Sequence, residues 1–458
     1  MADFSLFARL MEGSGASAAA ISSFRRSYEA LARGETGQIP EPSIEALASL
    51  PVHQPGKESS NRSLLSQACI LKLNGGLGTG MGLERAKSLL PVKEGLTFLD
   101  LICRHVLRLR KGGDGPGFLL MDSFTTSADT RAFLAERYPS LGGPETWELL
   151  QNKAPKVDAA TLAPAQAADP DMAWCPPGHG DLYAALAGSG RLASLLEQGF
   201  RYLFVSNADN LGATLDPLLL ERFAASGAPF LMEVTERTEA DRKGGHLCRD
   251  RATGRLRLRE IAQCPPEDQA AFGDISRHRF FNTNNLWIDL RQLRAALEAG
   301  QGSIALPVIF NRKTVDPRDP ASPAVIQLET AMGAAIEAFE GAEAVVVPRT
   351  RFLPVKTTND LLALRSDAYA LEEETLRLRA EALPLIDLDG AHYKRIDDFD
   401  AKFAAGIPSL RSCRRLTVRG PVLFSSGVRL QGAVTVTNPR REDAPLPPGA
   451  YADREVTL

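Results

Sequence analysis

Leu71-Lys72-Leu73-Asn74-Gly75-Gly76-Leu77-Gly78-Thr79-Gly80-Met81-Gly82-Leu83-Glu84-Arg85-Ala86-Lys87-Ser88 is the stretch on which the fold turns. Five glycines fall within eight positions, Gly75 to Gly82, directly after an apolar run, Ala68 to Leu73, that reads as a buried strand. Glycines at that density allow positive φ and let a ligand approach the backbone amides without Cβ interference. A strand feeding such a loop is a place to hold a nucleotide, with N–H groups aimed at base or phosphate oxygens. Two familiar loops do not fit. Walker A needs glycine immediately before its lysine, and Ala86 precedes Lys87. The dinucleotide fingerprint needs a third glycine where Met81 stands. A glycine-rich surface turn is the bland alternative, and the preceding strand and trailing lysine argue against it.

Composition narrows the class. At 458 residues the chain is long enough for two or three domains and a large core. Hydrophobic content of 44% and charged content of 24% are those of a globular protein. A formal net charge of −3 gives no basic footprint for nucleic acid, so a polyanionic ligand must be met by locally placed lysines and amides. Cys69, Cys103, Cys175, Cys248, Cys264 and Cys413 are scattered without a C-x-x-C pair, against a disulfide framework or a structural zinc site. No apolar run approaches the roughly 20 residues of a membrane-crossing helix, and no charged N-terminal region precedes an apolar one. The expected setting is the cytoplasm, with no membrane and no nucleic-acid partner.

Along the chain, apolar positions at helical spacing (Phe4, Phe7, Leu10, Met11; Ile21, Phe24, Tyr28, Leu31) predict two helices, broken by Gly13 and Gly15 and closed by Gly34 and Gly37. Pro40 to Pro55 reads as a surface wrap. From Ala68 onward, apolar runs (Phe118–Met121, Tyr202–Val205, Phe230–Val234, Ala344–Val347) alternate with helix-like segments (Arg131–Tyr138, Ala184–Gln198, Pro217–Ala225). That alternation predicts an α/β fold with a mostly parallel sheet, whose ligands sit beyond the carboxyl ends of the strands. Residues 361–383 read as a charged helical connector. After about residue 410 short β runs separated by glycine predict about three stacked turns of a small β-helix, with a disordered or loosely packed tail beyond Asn438. The expected segments are thus 1–65, helical; 66–360, catalytic; 361–409, connector; and 410–458, β-helix.

Leu73-Asn74-Gly75-Gly76-Leu77-Gly78-Thr79, Met81-Gly82 and Lys87-Ser88 resemble the UTP–glucose-1-phosphate uridylyltransferase (UDP-glucose pyrophosphorylase) family. The likeness continues through Pro176-Pro177-Gly178-His179-Gly180-Asp181, Ser206-Asn207-Ala208-Asp209-Asn210, Lys243-Gly244-Gly245, Phe281-Asn282-Thr283-Asn284-Asn285-Leu286-Trp287 and Phe352-Leu353-Pro354-Val355-Lys356-Thr357-Thr358, in the family's order. Arg85-Ala86 departs from a usual Gly-Pro before the loop lysine, and Lys156 from a usual arginine. The resemblance implies a Rossmann-like, GT-A-like nucleotidyltransferase with a central mixed sheet flanked by helices and a C-terminal β-helix, often used for oligomerisation. It implies Mg²⁺-dependent, reversible conversion of UTP and glucose 1-phosphate to UDP-glucose and pyrophosphate, by in-line displacement at the α-phosphorus.

Such a displacement needs no catalytic base, because the attacking phosphate oxygen arrives ionised. It needs alignment and charge neutralisation. By resemblance, Lys87 and Lys356 are the catalytic cations; Lys72 and Lys93 lack a loop context and read as solvated. A carboxylate at a strand end suits Mg²⁺, and Asp209 follows the strand Tyr202–Val205; an Asn/Asp turn is the plain alternative. The family makes Asp209 the metal ligand. A glutamine amide can pair with uracil in both directions, and Gln151 is the implied uracil reader. Leu73, Asn74, Gly75, Gly76, Gly178, Asn207 and Asp209 complete the implied nucleotide site. His179, between two glycines, joins Asn207, Gly245, Glu260, Asn282 and Asn284 as the implied sugar-phosphate contacts. A related UDP-sugar pyrophosphorylase acting on N-acetylglucosamine 1-phosphate usually carries arginine where this chain has Gly80. A catalytically silent nucleotide-binding regulator has no reason to keep Lys87, Asp209 and Lys356 together.

Overall fold

A computed structural model of the protein describes residues 4–54, 56, 62–111, 113 and 115–458. A central mixed sheet carries the site. Its strands run in the order Ile44–Ala46, His246–Asp250, Phe280–Asp289, Tyr202–Asn207, Ala68–Leu73, Gly117–Asp122 and Glu148–Leu150. The last four of these pair in parallel. Phe280–Asp289 runs antiparallel to its neighbours Tyr202–Asn207 and Phe230–Glu236, so the expectation of a mostly parallel sheet holds only on one side. Alternate residues of Ala68–Leu73 enter opposite cores: Ala68 and Ile70 one, Cys69 and Leu71 the other. A strand buried on both faces reads as a continuous apolar run, which is why it is visible in the sequence.

The predicted N-terminal helices are Ser5–Gly13 and Ala18–Ala32, packed around Phe7, Phe24 and Tyr28. Ser17 caps the second, accepting from the Ala20 N–H at 3.2 Å, and Gly34 follows it at φ +78°. Within the Pro40 to Pro55 stretch, Ile44–Ala46 is a sheet edge strand rather than a surface wrap; Pro55 itself lies outside the described residues. The segment expected as one helix over Ala184–Gln198 is two, Leu182–Gly188 and Arg191–Glu197, separated at Gly190 with φ +76°.

Two further expectations are corrected. Residues 361–383 are not one helix: Thr358–Arg365 is helical, and Tyr369–Glu372 and Thr375–Leu378 form a hairpin. Its two turn residues, Glu373 and Glu374, take φ +47° and +62°, a conformation hairpin turns usually assign to Asn-Gly. Arg108 and Arg104 hold their carboxylates at 3.0 and 3.6 Å. The tail beyond Asn438 is ordered as well. Leu385–Asp387, Ser409–Arg419, Val428–Thr437 and Gly449–Thr457 stack in parallel, and Val422–Phe424 pairs with Ala444–Leu446. Their inward side chains, such as Leu416, Val434 and Phe424, continue one of the two central cores through Tyr393, Phe399 and Phe403.

Candidate functional site

The parallel strands end at a cleft of about 280 Å³. It brings together Leu73, Asn74, Gly75, Gly76, Lys87, Gln151, Gly178, His179, Asn207 and Asp209, with Ser88, Met121, Pro176 and Ala208 beside them. A larger hollow of about 630 Å³, bordered by His53, Asp216, Arg351 and Tyr369, contains none of these groups. The smaller cleft is the candidate site because it lies at the strand ends where loop amides and charged side chains converge.

One end is built from backbone held by committed side chains. Asn74 is buried, and its side-chain amide donates to Asp122 Oδ1 at 2.7 Å and to Thr130 Oγ1 at 2.9 Å. Its side chain is therefore spent beneath the loop, and Asn74 faces the cleft through its backbone. Burial pushes the Asp122 carboxyl up to about 7 against the pull of the Thr130 and Asn74 hydrogen bonds. Ser123 Oγ donates to the Gly75 carbonyl at 2.9 Å. Gln151 Nε2 donates to the Gly178 carbonyl at 2.9 Å, and its Oε1 lies 3.2 Å from where a Cβ on Gly75 would stand. Gly178 has φ +80°, and a Cβ there would meet the Thr330 carbonyl at 2.5 Å, so only glycine fits. His179 Nδ1 accepts the Met332 N–H at 2.9 Å, which leaves its proton on Nε2. Burial lowers its pKa to about 4, so it stays neutral at ordinary pH.

The other end carries charge. Lys87 Nζ donates to Asp209 Oδ2 at 2.6 Å, and the lysine stem packs on Gly78, whose Cβ would fall 3.2 Å from Lys87 Cγ. Ala86 has an N–H where the family's usual proline would have none, and Asp129 accepts it at 3.1 Å. The buried Oδ1 of Asn207 has no hydrogen-bond partner among the described residues. An orphaned acceptor at a cleft wall is a group awaiting a ligand. Lys156, at the second departure from the family pattern, is buried with Nζ on the Val315 carbonyl at 2.8 Å.

The remaining predicted residues form an adjoining wall. Asn282 Nδ2 donates to Asn284 Oδ1, and the Asn284 N–H to Asn282 Oδ1, both at 2.9 Å; Asn284 takes φ +58°. The Asn282 N–H bonds the Gly245 carbonyl at 3.0 Å, and a Cβ on Gly245 would meet Glu260 Oε2 at 2.5 Å. Burial raises the Glu260 pKa, opposed by the charge of Lys356 and a hydrogen bond from Asn282. Lys356 itself is exposed, its N–H capped by Asp360 Oδ2 at 2.8 Å. The preceding Val355 N–H bonds the Asp209 carbonyl at 3.2 Å. This wall reaches His179 through Met332 and Gly333, where a Cβ on Gly333 would stand 3.2 Å from Asn282 Nδ2.

Two lysines read as solvated are not. Lys72 is buried, with Nζ on Ser206 Oγ at 2.7 Å and the Ala213 carbonyl at 2.5 Å, and burial lowers its pKa to about 7. It occupies an inward position of a strand buried on both faces, a signal the sequence contained. Lys93 Nζ donates to the Ser366 carbonyl at 2.6 Å, at the end of the helix Thr358–Arg365. No local pattern could have placed that partner.

Among the described residues no three His, Cys, Asp or Glu side chains gather as a metal site. Asp209 and the unpaired Asn207 oxygen are hard oxygen donors, the kind that hold Mg²⁺ when phosphate oxygens and water supply the rest. No helix among the described residues is long and apolar enough to cross a membrane.

The sequence model described as UTP–glucose-1-phosphate uridylyltransferase matches residues 21–431. A UTP–glucose-1-phosphate uridylyltransferase of Saccharomyces cerevisiae is 42% identical over 406 residues, spanning 87% of this chain and 80% of that protein. Among solved structures, a mutant UDP-glucose pyrophosphorylase of Leishmania major in complex with UDP-glucose is 46% identical, with a TM-score of 0.95 and 99% of each chain covered. The Trypanosoma brucei protein is 47% identical, with a TM-score of 0.90 and the same coverage.

Proposed function

The chain belongs to the UTP–glucose-1-phosphate uridylyltransferase family and is a nucleotidyltransferase that makes UDP-glucose; we propose that the glycine-loop cleft and the adjoining wall are where it does so. The observation that carries the assignment is the Lys87–Asp209 contact at 2.6 Å beside the unpaired Asn207 oxygen, at the mouth of a cleft floored by Gly75 and Gly76. Uracil lies on Gly75 and Gly76 against Gln151 and Gly178, and the triphosphate runs toward Lys87. Glucose 1-phosphate sits on the wall of His179, Asn207, Gly245, Glu260, Asn282 and Asn284.

The glucose 1-phosphate oxygen attacks the α-phosphorus in line with the departing pyrophosphate. Lys356 holds charge on the attacked phosphate, and Lys87 on the leaving one. One phosphoanhydride is broken and another formed, so the reaction runs in either direction. Neutral His179 is a hydrogen-bond donor to the sugar phosphate through Nε2–H and takes no proton. Asp209 and Asn207 suit Mg²⁺, which when bound adds positive charge to phosphate oxygens.

Release of pyrophosphate, measured with a panel of sugar 1-phosphates and with or without a magnesium chelator, tests this. Fastest turnover with UTP, glucose 1-phosphate and Mg²⁺ is expected. Equal turnover of ATP and UTP would remove the uracil site, and faster turnover of N-acetylglucosamine 1-phosphate would replace the sugar.

The same reading makes the fold a GT-A-like nucleotidyltransferase and its stacked C-terminal ladders a small β-helix. The last strand, Gly449–Thr457, ends the ladder with an open edge, the surface for self-association. Six unpaired, buried cysteines suit the reducing cytoplasm.

A further inference from the structure

Asp209 and Lys356 come from segments about 150 positions apart in the sequence, and in the function proposed above both address one phosphate. The buried Asn210 side chain helps to join those segments. Asn210 is 2% exposed, and its amide is saturated. Nδ2 donates to Asn285 Oδ1 and to the Arg351 carbonyl, both at 3.2 Å; Oδ1 accepts the Leu353 N–H at 2.8 Å and the Gly212 N–H at 3.2 Å. Both donors and both acceptor sites of the amide are used. Two of the four bonds grip the 351–353 segment, three residues before Lys356. Asn210 also forms an isolated antiparallel bridge with Pro354.

The segment it grips is itself immobilised. Arg351 makes a bidentate pair with Glu233, Nε to Oε2 and a terminal nitrogen to Oε1, both at 2.7 Å. Glu233 is fully buried and also accepts from Trp287 Nε1 at 2.9 Å and Asn285 Nδ2 at 3.1 Å. A planar two-point pair closed by two further donors has one low-energy arrangement. Asn285 then turns the same amide group to the Arg351 carbonyl at 3.3 Å. The Asp209 loop is tied to this platform by the Asn210 side chain, by the Arg351 guanidinium on the Thr214 carbonyl at 3.1 Å and by the backbone bond from Val355 to Asp209.

We propose that Asn210 is a positioning residue of the transfer reaction, fixing the loop that carries Asp209 against the segment that carries Lys356 so that both charges meet the same phosphate. This rests on the functional reading of Asp209 and Lys356 above. A displacement of about 1 Å at reacting groups costs on the order of a hundredfold in rate, so loss of the clamp acts on kcat. The uracil end, which holds the base, shares none of the Asn210 bonds, so the effect on UTP affinity is much smaller than that on kcat.

The test compares Asn210→Ala, Lys356→Ala and the double variant by steady-state kinetics and by UTP titration calorimetry, with Asn210→Ser as the milder variant should Asn210→Ala be insoluble. Asn210→Ala is expected to lower kcat about tenfold to a hundredfold and to leave the UTP Kd within about threefold. The double variant should be slower than Lys356→Ala by a factor clearly smaller than Asn210→Ala costs on its own, because part of the clamp's effect runs through that lysine. Multiplying effects in the double variant, or a loss of UTP affinity as large as the loss of kcat, overturns the inference. A silent Lys356→Ala instead overturns the reading of the lysine on which it rests.

Discussion

The two ends of the cleft solve different problems with different materials. At the end proposed for the base, the wall is backbone: Gly75, Gly76 and Gly178, held in place by Asn74, Ser123 and the Nε2 amide of Gln151. At the end proposed for the phosphates, the wall is side-chain charge on loops, with Lys87 and Asp209 facing one another directly. A base is neutral and flat, and a close, stiff surface suits it. A triphosphate that breaks apart shifts its charge during the reaction, and groups able to exchange partners suit that. Substitutions at the two ends should therefore fail in different ways.

Lys87→Ala should have the largest effect. Loss of one preorganised charged contact typically costs about 3–4 kcal/mol in the barrier, on the order of a hundred- to a thousandfold in kcat. The KM for glucose 1-phosphate should move far less, as steady-state pyrophosphate release would measure. An equal loss in KM would place Lys87 with the binding wall and erase the contrast. Asp209→Ala should abolish the response to added magnesium while leaving circular dichroism unchanged, since its carboxylate bonds Lys87 and not the core. A magnesium titration that matches the parent protein would move the cation elsewhere.

Gly178→Ala tests the base end. The residue would stand at φ +80° and press on the Thr330 carbonyl, a strain of about 1–3 kcal/mol. Urea unfolding should register that loss, with UTP binding weakened more than kcat. A variant that keeps full stability would show that this wall can yield.

His179 sharpens the comparison through pH. Burial holds its folded-state pKa at about 4, below the 6.5 of an ordinary imidazole. As pH falls, the unfolded chain takes the proton first, so this group removes stability between about 6.5 and 4 and no more below that window. In His179→Asn the side-chain oxygen can still accept the Met332 N–H, and the loss of stability from pH 7 to pH 5 should be smaller than in the parent protein. Parallel curves would place the pH response in other groups. Lys93→Ala should have the smallest effect: about 1 kcal/mol of stability from the lost bond to the Ser366 carbonyl, with kcat unchanged. Thermal melts and initial rates together check it.

Much of this was legible in the chain. The glycine loop and the strands flanking it could be named because local patterns encode them, whereas Gln151, His179 and Asn207 could be named only by resemblance to the family. An apolar run buried on both faces, a cluster of glycines and a carboxylate after a strand keep their meaning wherever the chain folds. The hairpin after residue 365 was not legible, since its turn places two glutamates at positive φ, where their partners Arg104 and Arg108 lie far off in sequence. The tail beyond Asn438 failed for a related reason. Gly449–Thr457 is mostly exposed and polar, and it is a strand because Val428–Thr437 lies alongside it.

By itself the sequence determined the glycine loop after its buried strand, the α/β class and the family. Tertiary structure alone decided how the charges at the cleft face each other. Lys87 meets Asp209, and Asn210 ties Asp209 to the segment of Lys356, only because parallel strands deliver their loops to one edge of the sheet. It also decided that Lys72 and Lys93 are structural. A lysine's role depends on what lies within about 3 Å of its ammonium, and those neighbours are carbonyl and hydroxyl groups more than a hundred residues away.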